Sequence, residues 1–236
     1  ILFAVVLGYL FGSIPWALVI GKVFYKTDVR NFGSGNLGGT NAGRVLGKKA
    51  GVTVIILDGL KAFFVVGLCV LFVPEAAVYA GLACCAGHCF PIFANFKGGK
   101  AVATTFGYLL AAGLFVTHEP IQMFVIPFVI FMITLKIWKM VSLSSIIGIA
   151  SAALITTLTQ SNLMITASIW ILWAFVTYRH KANIERIRNL DVTDDQSEKS
   201  SFSSESEFLF YRRFNACHSP LSCSFNAWRI TSFAPL

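Results

Sequence analysis

Long apolar runs separated by short polar islands set the pattern of the chain as far as residue 178. Seven runs are legible, at roughly 2–21, 50–73, 76–95, 101–117, 120–138, 141–159 and 162–178. A helix needs about 20 apolar residues to cross a hydrocarbon core, and inside that core a helix satisfies its own backbone polar groups. The pattern therefore predicts an all-α polytopic integral membrane protein with about seven transmembrane helices. The first run lacks the basic start and small-residue cleavage site of a secretory signal, so it reads as a span. Pro120 and Pro127 blur the ends of the fifth run.

Composition agrees with a membrane solvent. Only 13% of the 236 residues are charged and 56% are hydrophobic, against about 25% charged in an ordinary globular domain. Lysines and arginines mark the sides, because short loops rich in them stay cytoplasmic. With seven spans, one side receives Lys22, Lys26, Arg30, Arg44, Lys48, Lys49, Lys97, Lys100, Lys136, Lys139 and all that follows 178. The other receives Glu75, Glu119 and Gln160, with no lysine or arginine. The N-terminus is thus expected outside and the C-terminus in the cytoplasm. The net charge of +8 is mostly this topology signal, though a basic face also suits an anionic substrate. Nucleic acid is not an expected partner. Cys69, Cys84, Cys85 and Cys89 lie in apolar runs without metal or disulfide spacing, and no metal or other cofactor is expected. After residue 190 the serine-rich, acidic stretch DVTDDQSEKSSFSSESE breaks the composition. Residues 1–190 are expected to form the membrane domain, and 191–236 a disordered cytoplasmic tail without assigned function.

The polar islands crowd the basic side. GSGNLGGTN, residues 33–41, is glycine-rich backbone of the kind that turns tightly and gathers N–H donors around an anion. Ser34, Asn36, Gly38, Thr40 and Asn41 line it, and Arg44 adds a fork suited to phosphate. A flexible loop would need glycine and serine but not the asparagines and Arg44. Walker A spacing is missing. Within the second run, Asp58 and Lys61 share one helix face. A structural ion pair and a place in a site weigh equally for them, since charges inside a span face a site or each other. In the third island His88 is followed by Lys97, Gly98, Gly99 and Lys100 just before another helix opens, and a helix start of that kind favours an anion. His88 alone is more readily a packed histidine, and Lys97 more readily a topology lysine. The last islands hold Ser142 and Ser145, then Arg179, His180, Asn183 and Arg186, of which His180 and Asn183 share a helical face. The arginines there read as ordinary juxtamembrane charges.

In order along the chain, GSIP at 12–15, GSGNLGGTN, DGLKA, GHCFPIFANFKGGKAVAT, SLSSI and YRHKANIERI resemble the motifs of the bacterial acyl-phosphate:glycerol-3-phosphate acyltransferase family, PlsY. The resemblance covers about residues 8 to 190. Three positions depart from it: Gly39 where the family usually has alanine, and Ala62 and Ala101 where it usually has glycine. The resemblance implies an enzyme of the bacterial inner membrane, its site facing the cytoplasm, that moves a fatty acyl group from acyl phosphate to glycerol 3-phosphate among membrane lipids. It implies catalytic roles for Ser34, Arg44, Lys100, His180 and Asn183. Substrate binding falls to Asn36, Gly38, Thr40, Asn41, Lys61, His88, Lys97, Gly98, Gly99 and Ser142. No nucleophile elbow GxSxG is present. The alternative is a transporter of small organophosphates, which should show repeated halves; no repeat is visible.

Overall fold

The computed structural model describes residues 1–190, with side chains as far as Glu185. The expected tail at 191–236, and the side chain of Arg186, lie outside the described residues. The helices are α1 (Leu2–Gly12), α2 (Trp16–Phe24), α3 (Gly39–Leu46), α4 (Lys48–Phe72), α5 (Ala77–Cys89), α6 (Val102–Phe115), α7 (Ile126–Trp138), α8 (Val141–Thr159), α9 (Leu163–Arg179) and α10 (Lys181–Leu190). A π-helical turn, Ile121–Val125, leads into α7.

Each of the seven apolar runs is helical, but they differ in length. Four stretches are long and apolar enough to cross a membrane: Lys48–Phe72, Pro74–Ala94, Ile121–Trp138 and Val141–Thr159. The first run is not one helix. It breaks at Ser13–Pro15 into α1 and α2, bent by 41°, because Pro15 has no N–H to give and its ring opposes a continuous helix. The break leaves carbonyls without helical partners, and a side chain from α4 supplies donors for two of them, as described below. α6 and α9 are shorter, with 14 and 17 residues.

Close helix contacts hold the bundle together. Lipid tails are as apolar as leucine, so packing and buried hydrogen bonds rather than hydrophobic exclusion join helices in a bilayer. Gly8 and Gly12 let α1 lie on α5: a Cβ on Gly8 would stand 2.6 Å from the Ala80 carbonyl oxygen, and one on Gly12 would strike the Cys84 carbonyl. Gly107 of α6 presses in the same way on the backbone of Gly59 in α4. The Tyr108 hydroxyl and the Ser168 hydroxyl, both buried, lie 2.6 Å apart and link α6 to α9. The residue pairs give the directions. α1 runs parallel to α5 and α4 parallel to α6, whereas α5 and α6 are antiparallel, Gly81 lying against Tyr108 and Cys85 against Thr105. At the lysine-free end, Gln160 donates to the Glu119 carboxylate and ties two inter-helix turns together. Large apolar side chains point outward, among them Phe72, Leu158 and Ile171, as a lipid-facing surface requires.

The start of α6 is recessed. Gly59, which faces Ala103 and Gly107, lies 11 residues after Lys48, the first residue of α4. At 1.5 Å per residue that level is about 17 Å along α4, so the first residue of α6, about three residues earlier, sits about 12 Å along it.

Candidate active site

The loop at 33–41 is built around Asn41. Gly33 and Gly35 adopt φ of +61° and +66°, a left-handed conformation open to glycine at no cost. Gly33 also passes so close to the Asn41 side-chain oxygen that no Cβ fits. Asn41 is buried and its amide is fully engaged: Oδ1 accepts from the Ser34 N–H at 2.9 Å, and Nδ2 donates to the carbonyls of Val29 at 3.0 Å and Phe32 at 3.3 Å. Its place is therefore that of a loop staple rather than an open donor. Ser34, Thr40 and Arg44 are exposed, and Asn36 and Gly38 half-buried. Gly38 precedes the first turn of α3 without a side-chain cap, and the first N–H groups of a helix have no partner within the helix. At the loop's base Asp28 accepts from the Arg30 guanidinium at 2.9 and 2.6 Å. That bond holds the Asp28 carboxyl far below the usual carboxylate range.

The second group of residues is gathered at the recessed start of α6. Lys97 is exposed, while Gly98 and Gly99 are buried. The Gly98 N–H donates to the Cys89 carbonyl and the Gly99 N–H to the His88 carbonyl, each at 3.1 Å. The Gly99 carbonyl in turn accepts from Arg179 Nε at 3.3 Å and Nη2 at 3.1 Å. Both polar groups of Gly99 are thus occupied. Next come Lys100 and the first turn of α6, whose N-cap residue Ala101 supplies no side-chain acceptor. Ala101 itself sits at φ +58° and is fully buried. In that first turn Thr104 is also buried, and its hydroxyl has no hydrogen-bond partner among the described residues. Lys100 Nζ donates to Asn183 Oδ1 at 2.9 Å. The structure thereby joins two expected site residues that are 83 positions apart.

His180, directly after α9, is buried, with Nδ1 2.8 Å from the Val176 carbonyl. A carbonyl only accepts, so Nδ1 carries the proton and Nε2 keeps its lone pair. Burial, with help from the Lys100 and Arg179 charges, lowers the His180 pKa to about 4 despite the Val176 bond. The imidazole is neutral at pH 7.

A third group is deeper. Lys61, in α4, donates from Nζ to the carbonyls of Gly12 and Ile14, each at 3.0 Å, and meets His88 Nδ1 at 3.1 Å. Asp58 Oδ1 stands 2.9 Å from the same ammonium and 3.4 Å from His88 Nδ1. The far edge of the His88 ring, Nε2, abuts Gly99 where a Cβ would collide with it.

Ser142 lies apart from these contacts, half-buried in the first turn of α8, a helix that packs on α7 and α9. Ser144 and Ser145 bond back to the carbonyls of Met140 and Val141. Arg179 was legible only as a juxtamembrane charge, yet it clamps the glycine loop and lies 5.1 Å from the centre of the Phe90 ring. Its one sequence signal is adjacency to His180. Both outer groups are mounted on α4, the 33–41 loop through Gly39 against Gly51, and the 97–101 loop through Gly59 against Ala103. An apolar groove of about 770 Å³ runs between α1, α5 and α9, lined by Val5, Leu82, Ala86, Leu172 and Phe175 among others. Phe175 at its edge touches Phe90, the ring under Arg179.

Comparison with known proteins shows what the chain is similar to. The model of the family described as glycerol-3-phosphate acyltransferase matches residues 2–190. A glycerol-3-phosphate acyltransferase of Listeria monocytogenes serotype 4a (strain HCC23) is 47% identical over 187 residues, covering 78% of this chain and 90% of that protein. One from Geobacillus kaustophilus (strain HTA426) is 43% identical over 184 residues, with the same coverage. Among solved structures, the glycerol 3-phosphate form of PlsY (YgiH), an integral membrane glycerol 3-phosphate acyltransferase, superposes with a TM-score of 0.73 at 36% identity. It covers 80% of this chain and 92% of that one. The lysophosphatidic acid form gives 0.71 at 35% identity, covering 80% and 91%.

Proposed function

The chain belongs to the glycerol-3-phosphate acyltransferase family, and from that premise we propose that its acyl donor is an acyl phosphate and its acceptor the 1-hydroxyl of sn-glycerol 3-phosphate. The products are lysophosphatidic acid and inorganic phosphate. The observation that carries the reading is the Lys100–Asn183 contact beside neutral His180 at the start of α6. It sets a cation, a helix N-terminus and a hydrogen-bond acceptor around one recessed spot, as a phosphorylated alcohol requires.

In this reading both substrates are held together and the acyl group moves directly. The acceptor hydroxyl oxygen attacks the acyl carbonyl carbon, the carbon–oxygen bond to phosphate breaks, and phosphate departs with the electron pair. Acyl phosphate is already activated, so no enzyme nucleophile is needed. Ser34, Arg44 and Lys100 hold phosphoryl and developing oxyanion charge. The 97–100 loop seats glycerol 3-phosphate, with Thr104 as a further donor. His180 Nε2 and Asn183 orient the attacking hydroxyl. With a pKa of about 4 His180 is a weak base at pH 7, so an oxygen of the donor's own phosphate is the better final proton acceptor. The apolar groove beside Phe90 is wide enough for an acyl chain and opens toward lipid.

The same reading has seven crossings, an outside N-terminus and a site facing the cytoplasm of a bacterial inner membrane. The alternating helix directions and the lysine-free opposite end support it. Organophosphate transport is less favoured, because the polar groups gather at one end rather than at a midplane between repeated halves.

The test is phosphate release and lysophosphatidic acid formation by purified protein given palmitoyl phosphate and glycerol 3-phosphate. Parent protein should form product, and Ser34→Ala and Lys100→Ala should each lose roughly a hundredfold or more in kcat/KM. A stable acyl-enzyme in a single turnover would overturn direct transfer. No product from folded parent would overturn the donor assignment.

A further inference from the structure

We propose that Asp58, Lys61 and His88 are positioning residues that set the Gly98–Gly99 loop and the α1–α2 break in register, and that none of the three touches substrate. The proposal rests on the preceding reading of the 97–100 loop as the seat of glycerol 3-phosphate.

An ammonium has three N–H donors. Those of Lys61 meet the Gly12 carbonyl, the Ile14 carbonyl and His88 Nδ1, and the Asp58 carboxylate supplies the neutralising charge. The side chain is 1% exposed. Nothing of it remains for a phosphate. His88 Nδ1 faces the Lys61 ammonium and the Asp58 carboxylate, and the opposite ring edge, Nε2, is packed on Gly99. The His88 and Cys89 carbonyls receive the Gly99 and Gly98 N–H groups. Ring and backbone at 88–89 therefore fix the floor of the loop, while Arg179 fixes its roof.

Lys61 also reaches the other half of the site. The carbonyls it holds belong to the break before α2. Gly21 of α2 packs on Thr27 and Val29, and the Val29 carbonyl accepts from Asn41, which holds the Ser34 N–H. One buried cation thus sits between the two loops that must present phosphate-binding groups to a common point.

The test is steady-state kinetics on the full chain in detergent, with KM read separately for the two substrates. His88→Ala should raise KM for glycerol 3-phosphate roughly tenfold and leave that for palmitoyl phosphate within about twofold, the pattern of lost acceptor binding. His88→Gln keeps a polar side chain that can face Lys61 and fill the space beside Gly99, and should recover most of the loss. An equal rise in both KM values, or no recovery in His88→Gln, overturns the positioning role. Should His88→Ala fail to fold, the double variant Asp58→Asn/Lys61→Met decides: it removes both charges together and also releases the α1–α2 break, so KM should rise for both substrates, and a parent-like KM for glycerol 3-phosphate overturns the positioning role. Gly99→Ala is the reference for the loop itself: if it leaves KM for glycerol 3-phosphate unchanged, the seat assignment falls rather than the positioning role.

Discussion

Ala101 shows how much one backbone angle can cost. Its φ of +58° is left-handed, where an L side chain is disfavoured by about 1–2 kcal/mol. This alanine stands where the family usually has glycine, a residue suited to close backbone approach. The structure supplies a different reason for glycine there, since the residue must turn the chain into α6. Ala101→Gly should stabilise the protein by about 1 kcal/mol, seen as a rise of a few degrees in the thermal midpoint in detergent. A fall would mean the angle is not strained. The sequence singled out residues that the fold brings together, such as Lys100 and Asn183, but not what each side chain's donors face. Asn41 and Lys61 carry the donors a phosphate would want. Yet Asn41 gives them to backbone up to 12 residues away, and Lys61 to backbone 49 residues away. Whether a donor faces a ligand or a carbonyl depends on such distant partners, which local spacing does not reveal.

At the level of helices, the contact between α4 and α6 bears most on activity, because α6 begins at the loop that carries Lys100. Gly107 has no room for a side chain against Gly59. Gly107→Val should therefore force the helices apart, with a stability loss of about 1–3 kcal/mol and a larger loss of activity than the stability change explains. Leu158→Ala, on the lipid-facing surface, serves as the control and should stay near the parent in turnover. Parent-like turnover in Gly107→Val would show that the α6 start is positioned by its loop alone. The apolar pattern located the long helices to within a few residues, since periodicity hardly matters when all faces are apolar. It missed the division of the first run, although Pro15 was in plain view, because hydropathy does not register a missing N–H. It also passed over α3, which is short and polar.

Across the whole molecule, sidedness is the property that the charges predict. Glu75 lies in a turn at the lysine-free end, and Lys97 is exposed at the other. A membrane-impermeant maleimide added to intact cells should label Glu75→Cys above the background of native cysteines and label Lys97→Cys only after lysis. The reverse pattern would invert the proposed orientation. Packing could not be foreseen at this scale: which helices run side by side depends on where pairs of small residues meet, such as Gly12 with Cys84 and Gly107 with Gly59.

The recessed start of α6 bears on how turnover is counted. With 14 residues the helix spans about 21 Å, less than the roughly 30 Å hydrocarbon core. On the proposed reading the water-soluble alcohol descends to the acyl carbonyl, and the fatty chain stays in its leaflet from arrival to departure. For that substrate the governing concentration is its mole fraction in the bilayer. Diluting the enzyme's vesicles with buffer should leave the donor's saturation untouched, while diluting them with inert lipid should lower it.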